Sequence, residues 1–451
     1  MRPVAMLLAL IAAWPCAAAE EPSPPGACHT GAYALADGSH VVVQPSDAPN
    51  LRYRFPNGRS GKLFPVSDHR YESGEGWSVR EPVTLSVEFG ECGEGFVRMR
   101  QEGRSALEGR RVPLPTIPVT FRSRDATLYG EFVMPPEGRP RVVVVLQYGG
   151  ARESAVAHNF VQYLLPLEGI AVFVFDKRGT GRSTGGFSIE IGTLADDMAA
   201  AVRAVRARRE ARDVPLGLMG ESQGGWVAPL AASRVAVDFV VVSYGLAVSM
   251  LEEDRQEVAQ SLRAGGYGPD VLARGDEIHR ATARVMMSRF RDGLHELERL
   301  KSMYGNEPWF AALGGDFTAP LTATPEEQMP EVQAAFDFPY DLAYDPLPVL
   351  EKLTVPQLWI LAAADTEAPH ESTLARLRGL QAKGLPIDVL VFRAAEHGMI
   401  AVEQGPQGRR LAGRTVEGYY QALTTWIAGQ GSAANRPVRQ QPAPSHAPPG
   451  D

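Results

Sequence analysis

Cysteine is scarce in this chain, with three residues in 451. No spacing of cysteine and histidine matches the pattern of a structural zinc site, so we expect no metal. Cys16 falls in a predicted N-terminal leader, which leaves Cys28 and Cys92 in the mature protein. Two cysteines in an oxidising compartment are more often paired than free, and we therefore predict a Cys28–Cys92 disulfide.

Long apolar runs are missing beyond the amino terminus. Arg2 supplies a positive start, residues 4–14 are apolar, and the alanines at 17–19 are small enough for cleavage, so residues 1–19 are predicted to be a secretory signal peptide. The apolar run is shorter than the roughly 20 residues of a membrane-spanning helix, and no later run reaches that length. We expect a periplasmic or secreted protein with no stable membrane span.

The sequence also lacks a basic patch and a phosphate-binding loop. The formal net charge is −8, and no basic cluster is interleaved with aromatic residues, which argues against nucleic acid as a partner. Residues 176–186 contain four glycines. They include neither Gly-Lys-Ser/Thr nor a complete dinucleotide fingerprint. We therefore expect no nucleotide and no cofactor.

The composition divides the rest of the chain into three parts. Residues 20–112 alternate short β-prone runs with turn residues, which predicts a small β-rich domain. Residues 113–430 alternate predicted strands and helices, and the helical stretch at 246–350 is far longer than one crossover requires, so we predict a helical cap there. Residues 431–451 lack apolar periodicity and are predicted to be disordered.

One serine lies between a predicted strand and a predicted helix. Residues 220–224 read Gly-Glu-Ser-Gln-Gly, after an apolar run at 214–219 and before a helical pattern at 226–233. In this context G-x-S-x-G predicts a nucleophile elbow, where a strained backbone exposes the serine hydroxyl. Ser222 is the predicted nucleophile, and the N–H of Gln223 is a predicted oxyanion donor.

A serine nucleophile needs a base and an acid that orients the base. Asp365 and His397 each follow a predicted strand, and the order Ser222, Asp365, His397 is the order of α/β-hydrolases. Glu367 and Asp388 are weaker candidates for the acid, because Glu367 lies deeper in its loop and Asp388 begins the next strand. We predict Asp365 and His397 as the partners of Ser222.

A second oxyanion donor is expected in the loop after an earlier strand. Residues 141–147 form the strongest β pattern in the chain, and Tyr148-Gly149-Gly150-Ala151 follows them. We predict that the N–H of Gly150 is this donor, with Ala151 as the next choice.

Residues 119–429 resemble bacterial α/β-fold hydrolases of the serine aminopeptidase and dienelactone hydrolase-like clans. The residues that carry the resemblance are Tyr148-Gly149-Gly150, residues 175–183 (FDKRGTGRS), residues 220–226 (GESQGGW), Asp365 and Glu396-His397-Gly398. The resemblance implies an α/β-hydrolase fold: a mostly parallel central sheet flanked by helices, with a helical cap and here a small N-terminal β-rich domain. Family members usually carry His-Gly at Tyr148-Gly149, so the histidine that often supports this loop is replaced.

These residues predict a secreted serine hydrolase that cleaves a carboxylic ester of a small acyl substrate through an acyl-enzyme. Two alternatives stay open. A serine peptidase, acting as an aminopeptidase or in the manner of a dipeptidyl peptidase, would need carboxylates for an amino terminus, and Glu252-Glu253-Asp254 is a candidate set. A non-catalytic protein would instead bind a partner through its β-rich domain. The oligomeric state is left open.

Overall fold

The computed structural model describes residues 26–150, 152–405 and 408–431. The predicted signal peptide and all but the first residue of the predicted disordered tail lie outside these ranges. Within them, no helix is both long enough and apolar enough to cross a bilayer.

The amino-terminal part of the described chain is a closed barrel of eight antiparallel strands. Each strand pairs with the next, and the first closes the barrel against the eighth. Aromatic and branched side chains such as Tyr33, Val41 and Leu63 fill the interior, and closure leaves no open sheet edge. The strands are β1 (Gly31–Leu35), β2 (His40–Pro45), β3 (Leu51–Arg54), β4 (Ser60–Pro65), β5 (Arg70–Ser73), β6 (Leu85–Phe89), β7 (Phe96–Gln101) and β8 (Leu107–Arg111).

The predicted disulfide between Cys28 and Cys92 is present. It joins the segment before β1 to the turn between β6 and β7. The cysteines are 64 residues apart, and closing a loop of this length stabilises a fold by about 4 kcal/mol through lost entropy of the unfolded chain. In the described residues, the one group with metal-ligand spacing is Cys28, His29 and Cys92, and both of its sulfur atoms are engaged in the disulfide.

The larger part of the chain is built on an eight-stranded sheet, in the spatial order β16-β15-β14-β13-β11-β12-β10-β9. β10 is antiparallel to both of its neighbours, and the other neighbouring pairs are parallel. The strands are β9 (Thr116–Ser123), β10 (Ala126–Val133), β11 (Val142–Gln147), β12 (Ile170–Phe175), β13 (Leu216–Glu221), β14 (Phe239–Ser243), β15 (Gln357–Ala362) and β16 (Ile387–Phe392).

Helices cover both faces of this sheet. The central strands are buried along their whole length, so they are continuous apolar runs, as a sheet covered on both faces requires. Two separate apolar cores lie on its two faces. The helices outside the cap are α1 (Ala155–His158), α2 (Val161–Leu164), α3 (Ile191–Arg206), α4 (Gly224–Ala232), α10 (Leu347–Leu350), α11 (Glu371–Ala382) and α12 (Tyr419–Gln430).

A helical cap is inserted between β14 and β15 and has an apolar core of its own. Its helices are α5 (Met250–Ala264), α6 (Pro269–Met287), α7 (Leu294–Tyr304), α8 (Thr318–Ala323) and α9 (Met329–Ala335). Helix α6 ends at Met287, and α7 begins at Leu294. Gly293 precedes α7 with a φ of 95°, a left-handed conformation that breaks the helix and that glycine adopts readily.

A three-stranded sheet after β16 was not predicted. It consists of β17 (Ala395–Glu396), β18 (Ile400–Gly405) and β19 (Gly408–Thr415). β19 also touches the barrel through bridges between Arg414 and Arg59 and between Ala412 and Gly76. The hairpin formed by β18 and β19 therefore connects the barrel to the segment that carries His397.

Candidate active site

Ser222 lies in a tight turn between β13 and α4. Its φ is 52°, a left-handed value that a residue with a side chain rarely adopts. A Cβ on Gly220 would lie 2.0 Å from the carbonyl oxygen of Gly224, and a Cβ on Gly224 would lie 2.7 Å from that of Gln147. Both flanking positions therefore need glycine, which is the steric reason for the G-x-S-x-G spacing.

The structure brings Ser222, His397 and Asp365 together, although they are far apart in the chain. Nε2 of His397 lies 3.1 Å from Oγ of Ser222, and Nδ1 of the same ring lies 3.0 Å from Oδ2 of Asp365. Asp365 is 2% exposed, and its Oδ1 accepts the N–H groups of Glu367 and Ala368 at 2.9 and 2.8 Å. These bonds fix the carboxylate and therefore the orientation of the imidazole.

The charge of His397 depends on opposing influences. Burial alone would lower its pKa, but the hydrogen bond to Asp365 and the negative charges of Asp365, Glu367 and Asp316 outweigh burial and raise the pKa to about 9. A histidine of this kind holds a proton strongly once it has accepted one. This property suits a base that must carry a positive charge next to a reacting serine.

Gln223 lies beside Ser222, and so does the loop that contains Tyr148, Gly149 and Gly150, which we call the Tyr148 loop. Gln223 is the residue just before α4, and no described residue accepts a hydrogen bond from its backbone N–H. On the other side, a Cβ on Gly149 would lie 3.4 Å from Cβ of Ser222. Gly150 follows directly, and its N–H is also free of acceptors among the described residues. The oxyanion roles of Gln223 and Gly150 remain predictions.

A buried lysine that the sequence did not single out supports the Tyr148 loop. Nζ of Lys177 donates to the carbonyl of Gly149. The side chain is 1% exposed, and burial lowers the pKa of Lys177 to about 7. The hydroxyl of Tyr148 donates to Oε1 of Glu153 at 2.5 Å. These contacts support the loop where related proteins usually carry a histidine.

An ion pair between Glu396 and Arg409, which was not predicted either, joins the loops that carry Asp365 and His397. Oε1 of Glu396, the residue before His397, accepts the N–H and the hydroxyl of Thr366 at 2.6 and 2.9 Å. Arg409, on β19, forms an ion pair with Glu396 and donates to the carbonyl of Ala364 at 2.6 Å. The sequence shows Glu396 beside His397, but it gives no sign that an arginine would join the two.

We expect Arg409→Ala to lower kcat/KM by roughly 10- to 100-fold, a loss comparable to that from removing a residue that orients a metal ligand. The loops that carry Asp365 and His397 would lose a shared donor, so the loss should fall on kcat more than on KM. Steady-state kinetics on a neutral ester would measure it, and Arg409→Lys should recover part of the rate.

Arg410→Ala is the matched control, since Arg410 is the next residue on the same strand and pairs with Glu403 at 3.0 Å, away from both loops. If both variants lost the same activity, the effect would come from weakening the hairpin in general. That result would contradict a specific positioning role for Arg409.

The structure separates the three acidic residues at the start of α5. Glu252 pairs with Arg255 at 2.6 Å. Asp254 is fully buried in the cap, where it contacts His279 at 2.9 Å and accepts the N–H of Phe317 at 2.8 Å. Glu253 interacts electrostatically with Asp365 and Glu367. The three consecutive carboxylates therefore have different surroundings.

A cavity of about 540 Å³ lies where the barrel meets the Tyr148 loop. Its lining includes Arg52 and Asp47 from the barrel and Glu153 and His158 from the sheet domain. None of Ser222, Asp365 or His397 lines this cavity, so it is separate from the hydrogen-bonded serine.

The sheet order, the serine turn and the cap together define the class of this protein. It has the α/β-hydrolase fold with an additional N-terminal β-barrel. Residues 138–248, which include Tyr148, Lys177 and Ser222, match the family model described as serine aminopeptidase, S33. This match supports a serine hydrolase of the α/β-hydrolase class.

Similar proteins were found among curated sequences and solved structures. The uncharacterized protein YfhR of Salmonella typhimurium is 36% identical over 110 residues, which are 24% of this chain and 37% of that protein. The esterase Pf2001 of Pyrococcus furiosus aligns at 15% identity over 70% of this chain and 90% of its own, with a TM-score of 0.42. Dipeptidyl peptidase 4 of Porphyromonas gingivalis aligns at 15% identity over 88% and 48%, with a TM-score of 0.40.

Proposed function

We propose that the protein is a serine hydrolase that cleaves carboxylic esters through an acyl-enzyme. The observation that carries the proposal is the continuous hydrogen-bonded path from Ser222 through His397 to Asp365. A strained serine, a histidine base and a buried carboxylate are the parts that nucleophilic acyl transfer requires.

In the proposed mechanism, Nε2 of His397 accepts the proton of Ser222 as Oγ bonds to the acyl carbon. The N–H groups of Gln223 and Gly150 stabilise the oxyanion, and Asp365 stabilises the imidazolium. His397 then gives the proton to the leaving oxygen as the carbon–oxygen bond breaks. Water, deprotonated by the same nitrogen, attacks the acyl carbon, and Ser222 leaves with the proton.

Ester cleavage is favoured over peptide cleavage because the three residues suffice for it. A peptidase needs in addition a surface that aligns a peptide backbone. The match of residues 138–248 to the serine aminopeptidase family supports a peptidase as the second proposal. We also propose that the protein works in the periplasm or outside the cell, since the Cys28–Cys92 disulfide is typical of oxidising compartments.

Labelling with a fluorophosphonate tests the proposal, because this reagent phosphonylates an activated serine. We expect one label per chain, mapped by mass spectrometry to the peptide that contains Ser222. Competition with short-chain esters, long-chain esters and aminoacyl amides would then separate an esterase from a peptidase.

Two controls make the labelling decisive. Protein unfolded before exposure should take no label, because the activation of Ser222 depends on the fold. A folded protein that stays unlabelled, or a Ser222→Ala variant that is labelled as strongly as the unmodified chain, would exclude the proposed nucleophile and favour a binding protein.

A further inference from the structure

The cavity where the barrel meets the Tyr148 loop, which we call the junction cavity, has a buried arginine in its wall. Side chains alternate between the two faces of a strand. Leu51 and Tyr53 of β3 lie in the barrel core, so Arg52 lies on the outer face of the barrel. Arg52 is nevertheless only 7% exposed, and it lines the junction cavity. A charge that is buried to this degree needs a partner.

The hydrogen bonds of Arg52 are incomplete. Nη2 donates to the carbonyl of Trp77 at 2.8 Å, and the guanidinium stacks 3.9 Å from the centre of the Trp77 ring. Nη1 is buried, and no described residue accepts a hydrogen bond from it. Within the described part of the chain, no carboxylate forms an ion pair with Arg52 either. A buried cation with an unused donor is costly, and an acceptor bound in the cavity would remove that cost.

Basic groups outnumber acidic groups around Arg52. Arg54 lies two residues further along the same face of β3, where its Nε donates to Oε1 of Gln44 at 3.2 Å. Lys62 lies opposite Arg52 on β4. Both oxygens of Asp47 bond to the ammonium of Lys62, at 2.6 and 2.8 Å. Asp47 therefore compensates Lys62, and the two arginines have no ion-pair partner among the described residues.

The electrostatics of the junction cavity agree with a missing anion. Burial, followed by the positive charge of Arg54, lowers the pKa of Arg52 to about 9. Apart from Asp47, the carboxylate in the lining is that of Glu153. Glu153 is exposed, and its Oε1 accepts the hydroxyl of Tyr148 at 2.5 Å. An anion beside Arg52 would favour the charged guanidinium and would bind more tightly for that reason.

The lining of the junction cavity indicates which anion fits. A volume of about 540 Å³ is typical of sites for small organic molecules. The planar fork of a guanidinium matches the planar carboxylate group. A phosphate dianion fits less well, because it needs several donors and Arg52 has one unused nitrogen. Apolar surface for the rest of an organic acid comes from Ala27, Pro45, Ala48 and Leu51.

We propose that the junction cavity binds a small organic carboxylate, with Arg52 as its counter-ion. Nη1 of Arg52 donates to a carboxylate oxygen, and the apolar lining contacts the body of the acid. The ligand is distinct from the ester at the proposed nucleophile, because Ser222 does not line this cavity. It lies instead against Tyr148, the residue before Gly149. This inference goes beyond the proposed esterase function and does not depend on it.

Calorimetry with benzoate and benzamide tests the proposal, because these molecules have nearly the same shape and only benzoate is charged at neutral pH. We expect benzoate to bind at least tenfold more tightly, since hydrogen bonds between charged groups are stronger than neutral ones. Equal affinities, or no binding of benzoate at millimolar concentration, would overturn the proposal. Inorganic phosphate that displaced benzoate at equal concentration would contradict the choice of a carboxylate.

Arg52→Met assigns the binding to the junction cavity, because it removes the charge and keeps an apolar stem. The affinity for benzoate should fall at least tenfold, to that for benzamide. Arg110→Met is the matched control. Arg110 also stacks on an aromatic ring, that of Phe96 at 5.3 Å, and donates to a carbonyl, that of Glu94 at 3.3 Å, but it does not line the cavity. Benzoate that bound the Arg52→Met protein as tightly as the unmodified chain would place its site elsewhere and overturn the proposal.

Gln44→Glu keeps the test decisive even if the Arg52→Met protein does not fold. Gln44 lies opposite Arg52 in the pairing of β2 with β3, and it lines the junction cavity. The substitution nearly preserves the shape of the side chain and adds a carboxylate of the protein itself. Benzoate should then bind at least tenfold more weakly, because Arg52 and Arg54 gain a counter-ion. Unchanged binding of benzoate in this variant would refute the role of Arg52.

Discussion

Replacing Ser222 with alanine is expected to lower kcat by a factor on the order of 10⁴ to 10⁶, with little change in stability. The substitution removes the proposed nucleophilic oxygen but keeps the Cβ, so the steric strain of the left-handed turn at φ 52° should not change. His397→Ala should cost a similar factor, because Ser222 and His397 act as one unit. Steady-state kinetics on a neutral ester would measure both losses.

Ser233→Ala is the matched control for this experiment. Ser233 lies at the carboxyl end of the same helix, α4, and its hydroxyl donates to the carbonyl of Leu230 at 2.7 Å, away from His397. Its activity should stay within about twofold of the unmodified chain, as for a surface substitution. Thermal unfolding of all three variants would show that they fold. A Ser222→Ala protein that retains most of its activity would rule out the proposed mechanism.

The turn at Ser222 was predictable from sequence because its steric requirements are local. The spacing of Gly220, Ser222 and Gly224 follows from clashes within a few residues and with the adjacent strand. The strands were predictable for a related reason, since a strand buried on both faces is a continuous apolar run. The β pattern at 141–147 corresponds to β11 (Val142–Gln147), which is buried at every position.

The partners of Ser222 were harder to predict, because they come from distant parts of the chain. Asp365 and His397 could be proposed because parallel strands end at one edge of the sheet, and residues after those ends meet there. Lys177 and Arg409 gave no comparable signal. Lys177 lies within a family motif without marking its contact to Gly149, and Arg409 reaches Glu396 only because an unpredicted hairpin places it there.

The three consecutive carboxylates of α5, Glu252-Glu253-Asp254, show a different limit of sequence analysis. Consecutive carboxylates suggested one amine-binding set, but successive residues on a helix point about 100° apart. Glu252, Glu253 and Asp254 therefore face different surroundings, while Glu253 and Glu257, four residues apart, share a face. The helical period was available from the sequence, but the direction of each face was set by cap packing.

Asp365→Asn should remove most of the hydrolytic activity, because it would favour the tautomer of His397 that cannot act as a base. Oδ1 of Asp365 accepts the N–H groups of Glu367 and Ala368, and only the oxygen of an asparagine amide could replace it there. The NH₂ group of the asparagine would then face Nδ1 of His397, which would have to become an acceptor. The proton would move to Nε2, and this nitrogen could no longer accept the proton of Ser222.

We expect Asp365→Asn to lower kcat by roughly 10⁴-fold near neutral pH, and to change the pH profile as well. His397 must be neutral to act as a base, so a pKa of about 9 predicts that kcat/KM of the unmodified protein rises with pH up to that region and then levels off. Without the Asp365 charge, burial should lower the pKa of His397, and the midpoint of the residual activity should move to lower pH.

Asp388→Asn is the matched control, because Asp388 accepts a hydrogen bond from Trp426 at 2.8 Å, away from His397, and it should keep both the rate and the midpoint. A residual profile with an unchanged midpoint would show that Asp365 does not set the charge of His397.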